Sequence, residues 1–83
     1  MNANVLRDRI SILWGEALET RKRMKAHRRK EDALELLRIQ AEADAIMDVL
    51  YEIGHGLSLD FDELENKEIH YGWKDAREIL GLA

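Results

Sequence analysis

Between Val5 and Met24 the apolar residues Leu6, Ile10, Leu13, Ala17 and Met24 recur at spacings of three, four and seven, and then the pattern loses phase. Extending the stripe past Met24 would bring Arg28, Glu31, Glu35 and Arg38 onto the buried face. An amphipathic helix keeps its apolar residues on one side at about 3.6 residues per turn, so the chain must break near residues 28–32 and restart. A second stripe then runs through Leu36, Ile39, Ala43, Ile46 or Met47, Leu50 and Ile53. The two stripes predict helices over 4–27 and 32–53, folded back on each other as an antiparallel hairpin.

Local signals mark the ends. Asn2 or Asn4 can cap the first helix, and Asp32 with Glu35 three residues later is a capping-box pair for the second. Gly54, His55 and Gly56 stop it. A helical tail over 58–81 is expected in two pieces: a short helix opened by Asp60 and Glu63 and passing through Phe61 and Leu64, then a segment from Trp73 to Leu80 before Gly81. No stretch alternates as a strand does, and nothing repeats. The prediction is one all-α domain over 1–83. Both long helices carry a second, partly apolar face that a single hairpin cannot cover, so a dimer or tetramer is expected.

Charge and composition exclude several classes. Cysteine and proline are absent, which removes disulfides and thiolate metal sites. No apolar run reaches the roughly 18 residues of a membrane span, so a cytoplasmic, membrane-free protein is expected. Residues 1–30 hold nine basic and three acidic side chains, whereas 31–83 hold four and fourteen. Such a division attracts either the other half of the same fold, a neighbouring subunit or an external partner. Ser11 and Ser58 have no base at a useful spacing, and His27, His55 and His70 are too scattered for a helical zinc pair.

Two features carry chemistry. Asp44, Asp48 and Glu52 follow one another at i,i+4 with no Lys or Arg three or four residues away, an arrangement that repels itself. Glu16 and Glu19 lie at i,i+3 on the first helix, beside Val5 and Ile12. A hairpin turning near residue 30 or 31 would bring Glu16 and Glu19 within about one turn of Asp44 and Asp48. Four carboxylates meeting there suit Mg²⁺ or Mn²⁺, which favour oxygen ligands. The surface alternative is equally concrete, since Glu19 and Arg23 sit in the favourable i,i+4 order for a solvated ion pair.

The second feature is basic: Arg21, Lys22, Arg23, Lys25, Arg28, Arg29 and Lys30 put seven cations into ten residues. They could meet phosphates, a nucleic acid included. A local explanation is that cations suit the end of one helix and Glu31 and Asp32 the start of the next. Stacking aromatics are missing from the run, which leaves nucleic acid the less favoured partner.

The segments Glu16-Ala17-Leu18-Glu19 and Asp44-Ala45-Ile46-Met47-Asp48 resemble the paired acidic motifs, EExxE and EExxD, of the MazG-type all-α nucleoside triphosphate pyrophosphohydrolases. The run from Gly56 to Leu64 is similar to the stretch that follows them. The resemblance spans about residues 6 to 74. It implies an oligomeric helical bundle that binds Mg²⁺ and cleaves a nucleotide between its α and β phosphates. Glu16, Glu19 and Asp48 would be metal ligands, Asp44 a substitute ligand, and Lys67 and Lys74 would face phosphates. Gly15 and Ala45 stand where the motifs have glutamates, and the family's preceding helix is missing. A non-catalytic relative that binds nucleotides, or a small helical regulator or inhibitor acting through protein contacts, is the alternative expectation.

Overall fold

A computed structural model describes residues 3–53 and 63–82; for Tyr51 and for residues 63–66 only the backbone is considered. It contains three helices, α1 (Ala3–His27), α2 (Lys30–Glu52) and α3 (Glu63–Leu80), and no strand among the described residues. The 25 residues of α1, rising about 1.5 Å each, account for the long dimension of a 38 × 22 × 17 Å molecule. Helix α2 returns antiparallel along α1, and α3 packs mainly on α2 and to a lesser degree on α1.

The hairpin turns at Arg28 and Arg29. Arg28 adopts a left-handed conformation, φ 49°, and its N–H donates to the Met24 carbonyl at 2.7 Å, while Ala33 N–H donates to Arg29 O at 3.2 Å. Glycine or asparagine usually takes that conformation because a Cβ crowds the carbonyl. Here an arginine takes it, which explains why the tip carries no turn residue. The expected capping box does not form. Helix α2 begins two residues earlier than expected, so Asp32 lies inside the first turn and meets Arg23 at 3.7 Å, while Glu35 turns to Arg38. Asp32 and Glu31 still face the positive end of the helix. Of the two candidate caps of α1, Asn4 lies within the first turn and Asn2 outside the described residues. The Gly54–Gly56 stop and the Asp60 cap also fall outside them.

Helix α3 is continuous from Glu63 to Leu80, where two pieces were expected. Gly72 in its middle is a packing position rather than a break. A Cβ there would come within 2.8 Å of Arg21 Cδ, 3.1 Å of Arg21 Cγ and 3.2 Å of Leu36 Cδ2. The helix closes at Gly81, φ 75°, with Leu82 N–H bonded to Arg77 O at 2.8 Å and Gly81 N–H to Glu78 O at 3.1 Å. Those two bonds make a Schellman cap.

The core follows both apolar stripes. Leu6, Ile10, Leu13, Ala17 and Met24 of α1 are buried against Leu36, Ile39, Ala43 and Leu50 of α2, and Ile69, Trp73 and Ala76 of α3 close the third side. Thr20 fills the gap between Ala17 and Met24. Trp14 and Trp73 meet edge to face with centroids 5.8 Å apart, locking α3 onto α1. Ile46 and Met47 are both half-buried, and Ile53 lies largely exposed at the end of the α2 stripe. Among the described residues no helix is long and apolar enough to cross a membrane.

Candidate functional site

The geometry of the acids begins with the register of the hairpin. Because the chain turns at Arg28–Arg29, Glu16 and Glu19 come level with Arg38 and Glu35, about two helical turns short of Asp44 and Asp48. These residues line a shallow groove of about 430 Å³ together with Gly15, Thr20 and Arg23. Three carboxylates and two guanidinium groups therefore share the space, with Glu16 adding to the field at Arg38. Glu19 pairs with Lys22 at 3.5 Å rather than with Arg23, whose guanidinium reaches Asp32 and donates to Thr20 Oγ1 at 3.2 Å.

Asp44 lies on the other flank of α2. It lines a groove of about 300 Å³ with Leu37, Gln40, Ala41, Arg77 and Leu82, facing α3. Glu42, which faces α1, is two residues earlier and so about 200° away around the helix. Asp48 is exposed one turn further along, on the flank of Asp44. The expected convergence of Glu16, Glu19, Asp44 and Asp48 is thus not formed within the chain. Among the described residues no three His, Cys, Asp or Glu side chains are placed to hold a metal ion.

The α1–α2 seam instead carries a charge ladder. Arg9 donates to Glu42 Oε1 from Nη2 at 2.7 Å and from Nε at 3.2 Å. Arg38 donates to Glu35 through a two-pronged contact, Nη2 to Oε1 at 2.5 Å and Nε to Oε2 at 3.0 Å, and to Glu42 Oε2 at 3.3 Å. Hydrogen bonding to Arg38 holds the Glu35 carboxyl below its ordinary range; burial opposes it, and the charges of Arg38 and Arg23 add to the lowering. Glu42 is lowered in the same way, first by the Arg9 hydrogen bond and then by the charges of Arg9 and Arg38. The Arg38 guanidinium is in turn held more firmly in its charged form by Glu35, with Glu42 and Glu16 adding to the field. Exposed pairs of this kind add little stability individually; the ladder lies along the flank of α2 that its buried stripe turns toward α1. The sequence signal for it was Glu35, Arg38 and Glu42 at i, i+3 and i+7, with Arg9 outside any local pattern.

The basic run divides in two. Arg21 is mostly buried, lies over Gly72 and reaches Glu68 of α3 at 3.6 Å, so with Lys22 and Arg23 it is occupied within the fold. Lys25, Arg28, Arg29 and Lys30 are exposed at the tip without an ion-pair partner among the described residues. Of the two lysines that the resemblance assigns to phosphates, Lys67 is simply exposed, whereas Lys74 lines a groove of about 330 Å³ with Gln40, His70, Trp73, Arg77 and Leu82. His70 packs edge to face on Trp73 at 5.2 Å, and His27 is exposed. The Trp73 Nε1 and Arg21 Nε groups are buried with no acceptor among the described residues.

Large apolar side chains stand in solvent on the outer faces. Val5 and Ile12 of α1 are 60% and 53% exposed, and Leu34 of α2 is 59% exposed. Val49 on α2, Ile53 just beyond its end and Tyr71 on α3 are also exposed. The chain matches no protein-family model, no curated protein and no solved structure.

Proposed function

We propose that this chain is a non-catalytic helical module that works by binding another polypeptide surface. The observation that carries this reading is the partition of the acids: Glu16 and Glu19 lie in one groove with Arg23 and Arg38, and Asp44 lies in another with Arg77. A pyrophosphohydrolase of the MazG type needs its two acidic pairs to share a cation, so the hydrolytic reading loses the geometry it depends on. What the fold offers in exchange is apolar side chains on the outer faces of both long helices, and a charge division running along the hairpin. Lys25, Arg28, Arg29 and Lys30 stand at the tip, while Asp44, Asp48 and Glu52 cluster toward the opposite end of α2. Apolar surface framed by unpaired charge is the composition of a protein-contact face.

The test is a thermal melt with and without millimolar Mg²⁺ or Mn²⁺, paired with an assay for pyrophosphate release from a panel of nucleoside triphosphates. A ligand that binds only the native state raises the midpoint. The contact reading expects no divalent-specific shift and no pyrophosphate. A shift that disappears in Asp48→Asn, together with Mg²⁺-dependent pyrophosphate release, would overturn it.

A further inference from the structure

The outward face of α2 carries opposite charges at its two ends, which complement each other when the face is reversed. Lys30, Leu34, Leu37, Ala41, Ala45, Asp48 and Glu52 follow at spacings of four, three, four, four, three and four, which keeps them on one stripe. The spacing reads the same in both directions from Ala41. Lys30 and Glu52 stand eleven residues on either side of it, Leu34 and Asp48 seven, and Leu37 and Ala45 four. All of these residues are exposed except Leu37, which is half-buried. The stripe touches the α3 side only where Leu37 and Ala41 border the groove below Arg77, and it lies clear of the flank that α2 gives to α1.

We infer that this face pairs with the same face of a second copy, antiparallel, with the two-fold axis at Ala41. The inference rests on the protein-contact reading and names its partner. Reversal is what the charges require: Lys30 would meet Glu52 of the second copy at both ends, whereas parallel pairing would stack Lys30 on Lys30 and Glu52 on Glu52. None of Lys30, Asp48 and Glu52 has an ion-pair partner within its own chain among the described residues. Ala41 and Ala45 at the crossing let the helices approach closely, and Leu34 is laid between Ala45, Asp48 and Val49 of the second copy. A two-fold interface uses one patch twice, so each favourable contact is made in duplicate. Pairing also offsets the i,i+4 repulsion of Asp48 and Glu52, because Lys30 of the second copy comes to lie across from Glu52. The dimer should therefore weaken as salt rises.

Sedimentation equilibrium of the full chain, with charge swaps, tests this. Lys30→Glu or Glu52→Lys alone turns two attractions into two repulsions and should weaken self-association roughly tenfold. The double variant Lys30→Glu/Glu52→Lys restores the pairing and should return it to within about threefold of the parent. Since the chain has no cysteine, Ala41→Cys should give a covalent dimer under mild oxidation, while Val5→Cys on α1 should not. A chain that stays monomeric at roughly 1 mM, or a dimer indifferent to the single swaps or not rescued by the double one, overturns the inference. Either result, with pyrophosphate release still absent, leaves the contact reading standing. Mg²⁺-dependent pyrophosphate release removes that reading whatever the oligomeric state.

Discussion

One substitution, glycine to alanine, should have opposite effects at two helical positions of this fold. At Gly15, on the exposed side of α1, an added Cβ meets nothing within 4 Å, so the change only removes backbone freedom from the unfolded chain. It should stabilise by about 0.8–1 kcal/mol. At Gly72 the same methyl would fall 2.8 Å from Arg21 Cδ and 3.2 Å from Leu36 Cδ2. The Arg21 stem cannot simply swing away, because it is mostly buried between helices and its guanidinium is directed to Glu68. Overpacking of that kind costs about 1–3 kcal/mol, which offsets the gain in helix propensity and leaves Gly72→Ala destabilised by up to about 2 kcal/mol. For a domain of this size the melting temperature should fall by up to about 16 °C, against a rise of about 3–8 °C for Gly15→Ala. Far-UV circular dichroism melts and urea midpoints read both. In an Arg21→Ala background the penalty at position 72 should shrink, since the nearest obstacle is gone. A Gly72→Ala variant as stable as Gly15→Ala would refute the close approach of α3 to Arg21 and with it the packing of α3 on the hairpin.

The other predictions concern ends, charge and metal. Arg28→Gly should stabilise by about 0.5–1 kcal/mol by relieving the left-handed arginine at the turn, and Gly81→Ala should destabilise by about 1 kcal/mol by straining the Schellman cap; urea titrations measure both. The lowered pKa values of Glu35 and Glu42 contribute stability that is present above the ordinary glutamate value of 4.5 and is lost as pH falls through the lower folded values. Arg38→Met should therefore lower stability at neutral pH and flatten its decline on the acid side of 4.5, as followed by melts across a pH series. Asp48→Asn should leave the melting temperature unchanged or raise it in metal-free buffer, because it relieves repulsion with Asp44 and Glu52.

The helices were legible because burial sets their period: the Leu6–Met24 and Leu36–Leu50 stripes are the ones the fold buries. The turn was only bracketed, since an arginine in the left-handed region leaves no compositional mark. Asp32 and Glu35 read as a capping box by spacing alone, yet Arg23 and Arg38, brought in by the hairpin itself, claimed both carboxylates. The packing role of Gly72 left no local mark, because its reason lies in Arg21 and Leu36, both distant in sequence. The acidic pairs show the same limit. Spacing placed each pair on one helical face, but Glu42, not Asp44, lies on the flank of α2 that meets Arg9 of α1, and two residues of rotation separate them.

Amide NMR spectra recorded as Mn²⁺ is added below stoichiometric amounts can show whether the two acidic pairs share a centre, since the ion broadens only resonances close to where it rests. The expected result is no common focus: Glu16 and Glu19 broaden no more than other exposed carboxylate positions, and independently of Asp44 and Asp48. Selective, saturable broadening of all four together, abolished by Asp48→Asn, would contradict the fold's separation of these acids and restore the hydrolytic reading.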